Sequence, residues 1–561
     1  MKKRVVAMMV ALVMAASLSA CGGGGASAKG EGPTLSASEV DKDLDYEYGE
    51  GKTFHSDEPV SYTMAFSDHE NYPFQEDWRL WSAIEEKSNV TFKTNNIART
   101  DYNDKISAMV NSGSAPYIIP KVYDAAAYVA GGQVVPISEW VQYMPNYMKC
   151  VEDWGMEAEL TNILSDGGKY YRLPGMWEKS ANGFSMMIRK DIFEAAGVDV
   201  REGEKTWTWE DFYEACKKVK EYTGADYVWS DQYQLGCAMN LSAVQYGVKA
   251  GKSKDGGDWG LRNGTVFNFE DEKFEFGETI PDYKDYLTFW SKMYSEGILD
   301  PDTFVQDSNQ AQAKFFRGES YVLTCNYQLM VDIEAGDKMQ VEGADLYYIT
   351  TPGGPKGQLQ VESSRLENGI MISQNALDEL GEEEFIKMLR FIDWLWYSDE
   401  GQMLSQWGVE GETYTKSEDG SVVLNPDIYF NGINPGAEKQ LNADFGFAGG
   451  VFAYGGSTEL RFSKCSEAEK EWNERIYASK TPRKIEPPIL ANEEEKEEMD
   501  LIQVPLLDYV NTSALEFITG KLSLDNDWEA YIKQCESLGS TKFIDKSNEI
   551  FDRTKDILGY K

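Results

Sequence analysis

Histidine is almost missing from this chain: His55 and His69 are the only two in 561 residues. That leaves little material for histidine-based acid–base catalysis or for a His-rich zinc site. Basic residues are also in deficit, 54 against 94 acidic, for a formal net charge of −40. A surface of this sign repels phosphate backbones and argues against a nucleic-acid partner. The same reasoning predicts a neutral ligand rather than a polyanion. No HExxH, GxSxG or GxGxxG motif occurs, and Gly247–Ser253 is one residue short of a phosphate-binding loop, with no strong strand ahead of it. Asp525-Asn526-Asp527 begins like a calcium loop, but Trp528 and Ala530 stand where a tight glycine turn is needed. Capping of the following helix is the better reading of those acids. No cofactor, no metal ligand and no catalytic residue is expected. Long uncharged apolar runs are confined to the N-terminus.

That N-terminus is informative. Lys2, Lys3 and Arg4 precede an apolar run from Val5 to Leu18. The run is too short for a membrane-spanning helix, which takes ~20 residues, and fits the core of a secretory signal. Leu18-Ser19-Ala20-Cys21 resembles the lipobox of bacterial lipoproteins, where cleavage precedes the cysteine and its thiol carries a lipid. A signal peptide over 1–20, acyl chains such as palmitate on Cys21 and a flexible tether over 21–55 are therefore expected. Losing Lys2, Lys3 and Arg4 from the 54 basic residues, and none of the 94 acidic ones, leaves −43. The expected location is the extracellular face of a Gram-positive cell membrane, lipid-anchored.

The body is an ordinary globular mixture, 42% hydrophobic and 26% charged, and long enough for two large lobes. Six cysteines follow Cys21, widely spaced and without CxxC; buried thiols are favoured over disulfides. Helices are predicted over 208–222, with Thr208 and Asp211 as capping residues, over 383–397, and over 526–538 with Gly539 as the stop. Strands are predicted over 61–66, 117–122, 321–324 and 346–350, so the fold class is α/β. Aromatic residues reach 13%, with 15 Trp and 32 Tyr. Trp140, Trp290, Trp394, Trp396, Trp472 and Trp528 lie on apparent helices and read as core. Trp177, Trp229, Trp259 and Trp407 lie in loops rich in glycine or polar residues, where core and ligand cleft are equally open. Aromatic faces stack on the apolar faces of sugar rings, and neighbouring polar groups bond the hydroxyls.

Several segments, in order, resemble the family 1 extracellular solute-binding lipoproteins, the receptors of carbohydrate ABC transporters. These are 101–116 (DYNDKISAMVNSGSAP), 187–197 (MIRKDIFEAAG) with 208–212 (TWEDF), 287–301 (LTFWSKMYSEGILDP) with Gly318-Glu319, 397–401 (YSDEG) with 407–414 (WGVEGETY), and 517–520 (FITG) with Asp527, Trp528 and Tyr531. The resemblance implies a two-lobed, type II periplasmic-binding-protein-like α/β fold with a hinge, closing on its ligand. It implies lobe one at 56–180 and 322–365, lobe two at 181–321 and 366–445, and a helical C-terminal region, 446–561, packed on lobe one and the hinge. Some relatives carry a calcium loop after the helix matching 208–222; Gly224–Asp231 lacks its acidic ladder, so calcium is not carried over.

The resemblance further implies a monomeric, non-enzymatic receptor with an oligosaccharide ligand and ABC transporter permease subunits as partners. A surface glycoside hydrolase stays open, because two acids ~5–9 Å apart cannot be recognised in a sequence. So does a non-catalytic sugar sensor for a membrane kinase. Ligands of open α/β sheets bind beyond the carboxyl ends of strands. The expected ligand-binding set is Tyr72, Asp124, Trp177, Asn326 and Tyr327, with Trp229, Arg365, Trp407 and Glu410 from the other lobe. Within it, Trp177 and Tyr327 are expected to stack on the sugar, and Asp124 and Arg365 to bond hydroxyls. At Tyr327 the maltodextrin-binding relatives place a stacking aromatic.

Overall fold

The computed structural model describes residues 33–560 apart from 41–45, 71, 130, 166, 181, 250–263, 328, 331–332, 334–337, 362–363, 419 and 450–454. The signal peptide, Cys21, much of the tether and Trp259 lie outside the described residues. Eight strands build the two main sheets: β1 (Val60–Asp68), β2 (Val90–Ala98), β3 (Ile118–Val122), β4 (Leu173–Met176), β5 (Phe184–Arg189), β6 (Val322–Asn326), β7 (Leu346–Tyr348) and β8 (Leu366–Ile372). The chain divides into two compact units, one of residues 1–179 and 365–464, the other of 180–364 and 465–561.

In the first unit the sheet order is β2-β1-β3-β8-β4. β1 pairs in parallel with β2 and β3, while β8 runs antiparallel to β3 and β4. β1 to β4 therefore point the same way, and β8 returns between two of them. β8 is irregular on both sides: its register shifts between Gly369 and Met371 against β3, and between Leu366 and Gly369 against β4. Gly369 is obligatory there, since a Cβ would stand 2.2 Å from the Leu173 carbonyl oxygen. Lys121, on the facing strand, has a left-handed φ of 63°, a conformation that costs energy in a non-glycine residue.

Helix Gln374–Tyr397 is the core of this unit. Gly381, at φ 73°, interrupts it, and every residue from Phe385 to Tyr397 is buried, which is why the apolar stripe is legible only from 383. The all-round burial encloses Asp393. Its carboxylate accepts from the backbone N–H of Asn146 at 3.0 Å and of Tyr147 at 2.7 Å, from Asn146 Nδ2 at 2.9 Å, and from the Tyr48 hydroxyl. Those amides belong to the first turn of helix Pro145–Trp154, whose own N-cap, Met144, offers no side-chain acceptor. Asp393 thus caps that helix from a distant part of the chain.

In the second unit β5 is flanked by β6 and β7, both antiparallel to it. The capping box of Thr208 and Asp211 starts helix Trp209–Thr223 as expected. Its apolar face packs with helices Gly236–Tyr246 and Pro281–Ser295 in one large core. The six tryptophans read as core from their helical positions are all buried, as are all six cysteines, each a free thiol.

Three expectations need correction. Segment 322–365 belongs with the second unit, because β6 and β7 pair with β5, and segment 366–445 belongs with the first, because β8 pairs with β3 and β4. Most of the C-terminal region belongs to the second unit, not to lobe one: Leu506, Val510, Phe517, Trp528, Tyr531 and Ile550 share its core with Tyr283, Tyr286 and Leu287. The apolar stripes of those late helices have helix Pro281–Ser295 as their burial partner. Asp527 occupies the N-cap position of helix Trp528–Ser537 without capping it; its carboxylate turns back to the Ser523 N–H at 2.8 Å.

Candidate functional site

The register of the first unit brings many strand ends to one edge. Asp68 pairs with Ala98, Gly369 with Val122 and Leu366 with Met176. The carboxyl ends of β1 to β4 and the amino end of β8 therefore lie side by side, where open α/β sheets hold ligands.

Three of the expected residues stand there: Tyr72, Asp124 and Trp177. Tyr72 returns after β1 and stacks on His69, ring centroids 4.1 Å apart and planes 9° apart. Asp124 is exposed just after β3, one oxygen accepting from the Ala126 N–H at 2.9 Å. Trp177 follows β4, and its backbone N–H donates to the Arg365 carbonyl at 2.8 Å. The Trp177 indole N–H points to the Glu367 carboxylate at 3.5 Å, and the Arg461 guanidinium lies 5.8 Å from its ring centre. Trp177 is 8% exposed, so little of its ring is open to a ligand.

The same edge carries residues that the sequence reading missed. Tyr123, the residue after β3, is 66% exposed. Its hydroxyl lies beside the buried Asn368 and within the electrostatic reach of Glu367 and Arg99. Burial and the neighbouring Arg99 pull the Lys121 ammonium down to about 8, against the attraction of Glu367. Burial raises the Glu367 carboxyl above the usual carboxylate range, opposed by hydrogen bonding from Trp177 and by Lys121 and Arg172. Arg172 donates to the Glu367 carbonyl oxygen. No spacing in the sequence joins Arg99, Lys121 and Glu367; strand register does. The only sequence signal was Tyr123 itself, an aromatic next to a strand end.

The structure assigns several other expected residues to different work. Arg365 is a structural clamp, not a hydroxyl partner. Its side chain donates to the Glu159 carboxylate, to the carbonyls of Trp154 at 2.7 Å and Glu178 at 3.3 Å, and to that of Gly155 at 3.2 Å. It thereby covers the carboxyl end of helix Pro145–Trp154. Trp407 is fully buried in the first unit's core with its indole N–H on Ser463 at 2.9 Å. Glu410 lies on the exposed turn that follows, bridged to Tyr414. Trp229 is fully buried in the second unit, parallel to Trp209 at 6.5 Å and 5.9 Å from Trp290. Neither tryptophan has a face to offer a ligand.

Tyr327 is also core: it is 8% exposed, its ring lies 6.3 Å from Trp472 and 6.5 Å from Tyr348, and its hydroxyl bonds Ser466. Tyr327→Ala should lower the melting temperature of the unliganded protein, with a loss of about 2–3 kcal/mol. Calorimetry checks this, and unchanged unfolding would return Tyr327 to the list of exposed candidates. Asn326 ends β6, half-buried, its side-chain oxygen accepting from the Leu329 N–H at 2.9 Å. Beside it the chain from Trp229 runs parallel to β6, with Thr324 donating to Asp231 at 2.8 Å. It then turns through Tyr233, Gln234 and Leu235 at φ 57°, 52° and 66°. Three successive left-handed non-glycine residues are costly, and such strain gathers at functional positions.

The sequence model described as bacterial extracellular solute-binding protein matches residues 80–362. The chain belongs to this family. Among curated solute-binding and lipoprotein relatives, the lipoprotein LipO of Bacillus subtilis (strain 168) is 25% identical over 348 residues, covering 59% of this chain and 63% of LipO. The match therefore spans less than two thirds of LipO. The polygalacturonan/rhamnogalacturonan-binding protein YtcQ of the same strain is 23% identical over 378 residues, 66% of this chain and 70% of YtcQ. Among solved structures, an extracellular solute-binding protein from Bifidobacterium longum subsp. infantis superposes with a TM-score of 0.62 at 16% identity, covering 89% of this chain and 99% of that one. The S. pneumoniae substrate-binding protein FusA in complex with kestose gives 0.56 at 17% identity, over 89% and 99%. At these identities the likeness is one of fold, the two-lobed α/β fold of solute-binding proteins.

Proposed function

We propose that this solute-binding protein captures an oligosaccharide and delivers it to the permease of an ABC transporter. The observation that carries the reading is the edge of the first unit's sheet. There an exposed aromatic, Tyr123, stands among hydrogen-bonding groups on His69, Arg99, Lys121, Asp124 and Glu367. An aromatic platform ringed by polar groups suits a sugar ring, whose C–H faces are apolar and whose hydroxyls need partners. Two relatives support the reading: YtcQ is a polygalacturonan/rhamnogalacturonan-binding protein, and FusA is seen in complex with kestose. Titration calorimetry against a panel of neutral and acidic oligosaccharides tests it, with a parallel thermal-shift assay, since a ligand of the folded state raises its melting temperature. Recovery of each sugar intact after long incubation separates a receptor from a hydrolase. Failure of every oligosaccharide to bind would end the reading.

The proposal includes a lipid anchor on Cys21 after removal of 1–20, with 21–55 as tether, and work at the outer face of the membrane. Among the described residues no helix is long and apolar enough to cross a membrane. Cys21→Ser should release the protein into the medium or leave uncleaved precursor. Metabolic labelling with a fatty acid checks this, and labelling that persists in the variant would refute the anchor.

A further inference from the structure

We infer that the carboxyl edge of the first unit's sheet recognises a carboxylate on its sugar, as a uronic acid residue bears, through Arg99 and Lys121. The inference rests on the oligosaccharide reading of this edge and reverses the neutral ligand expected from net charge.

The placement follows from register. β1 lies between β2 and β3. Arg99 is the first residue after β2, and Lys121 sits one residue before the end of β3. The two cations therefore flank the end of β1, where Asp68 leads into His69. Two strand spacings separate their backbones by roughly 10 Å, a gap that two long side chains can close on one group. Arg99 is exposed and Lys121 half-buried. A guanidinium fork meets a carboxylate with two parallel hydrogen bonds, and an ammonium adds a point charge.

The energetics point the same way. Holding Lys121 half-buried beside Arg99 carries a cost, because like charges repel and burial penalises the ammonium. The repulsion from Arg99 outweighs the attraction of Glu367. An anion between the two cations lowers that penalty. The acids of this edge are partly committed elsewhere. Asp68 accepts from the Phe74 N–H at 2.8 Å, Asp124 from Ala126 at 2.9 Å, and Glu367 from the Trp177 indole at 3.5 Å. Glu70 is exposed beyond His69. Net charge misleads because interactions at the protein surface are screened over ~10 Å, so a ligand feels the groups that line its site.

The test uses the full chain and oligomers of galacturonate, glucuronate and mannuronate, each compared with its methyl ester and with a neutral oligosaccharide of the same length. An acid oligomer is expected to bind at least about tenfold more tightly than its ester, and more weakly as salt is raised. Arg99→Ala and Lys121→Met should each weaken the acid oligomer by about 10–100-fold, the range of a charge-assisted hydrogen bond, and weaken the ester by a clearly smaller factor. Arg99 is exposed, so its variant keeps the unliganded melting temperature. Equal binding of acid and ester, or an acid affinity indifferent to both variants, overturns the inference. Binding of neutral sugars alone also overturns it while leaving the oligosaccharide reading intact. Absence of binding by either class fells that reading, and this inference with it.

Discussion

Tyr123→Ala should weaken oligosaccharide binding by about 2–4 kcal/mol, the cost of truncating an aromatic anchor, while leaving the unliganded melting temperature within a degree or so. The reason for the split is exposure. Tyr123 is 66% exposed at the end of β3, so its ring contributes little to folding and has a face available for a sugar. Calorimetric titration with the best ligand, beside a thermal melt of the empty protein, measures both quantities. Tyr123→Phe separates the ring from the hydroxyl. It should retain most of the affinity if stacking dominates, and lose it if the hydroxyl beside Asn368 and Glu367 is what the sugar meets. A variant Tyr123→Ala with unchanged affinity would remove this residue from the site. Trp177→Ala gives the contrasting pattern: at 8% exposure and against Arg461 and Glu367, the loss should fall on stability as well as on affinity.

Asp393→Ala should destabilise the first unit by about 3–5 kcal/mol, the range for removing one partner of a buried charged network. The carboxyl, which burial raises to about 6, is surrounded by the Tyr48 hydroxyl, the Asn146 and Tyr147 amides and the Asn146 side chain. Alanine strands all of these donors inside the core, where an unmet hydrogen bond costs its full desolvation. The two units give the experiment an internal control. Hydrogen exchange should accelerate in helix Pro145–Trp154 and in the sheet of β1 to β4 and β8. The helices of residues 493–554 belong to the other unit and should keep their protection. Uniform acceleration across both units would contradict a local capping role.

The contrast between Trp229 and Tyr123 shows where sequence reasoning stops. Glycine and polar neighbours left Trp229 open as a cleft residue, while nothing in the sequence singled out Tyr123. Yet Trp229 bridges to Val322 and lies parallel to Trp209 in a core. Its polar neighbours Ser230, Asp231 and Gln232 bond to Asp300, Thr303 and Thr324 inside the same unit. Arg365 carries the same lesson: an arginine at a crossing point suits a ligand, but four acceptors close by in the fold claim it first.

What the sequence determined by itself were the features that rest on neighbours along the chain. The helices over 208–222 and 383–397 follow from apolar spacing, and the first also from its capping pair. The burial of the six helical tryptophans and of the cysteines follows from composition and phase. The α/β class and the family follow from motif order. Tertiary structure alone decided which unit β8 joins, because hydrogen-bond partners 190 or more residues apart leave no mark on local pattern. It also decided which groups stand together at the proposed site. Arg99, Lys121, Tyr123 and Glu367 come from three separate strands, and only the parallel register of β1, β2 and β3, with β8 returning beside them, sets their side chains on one edge.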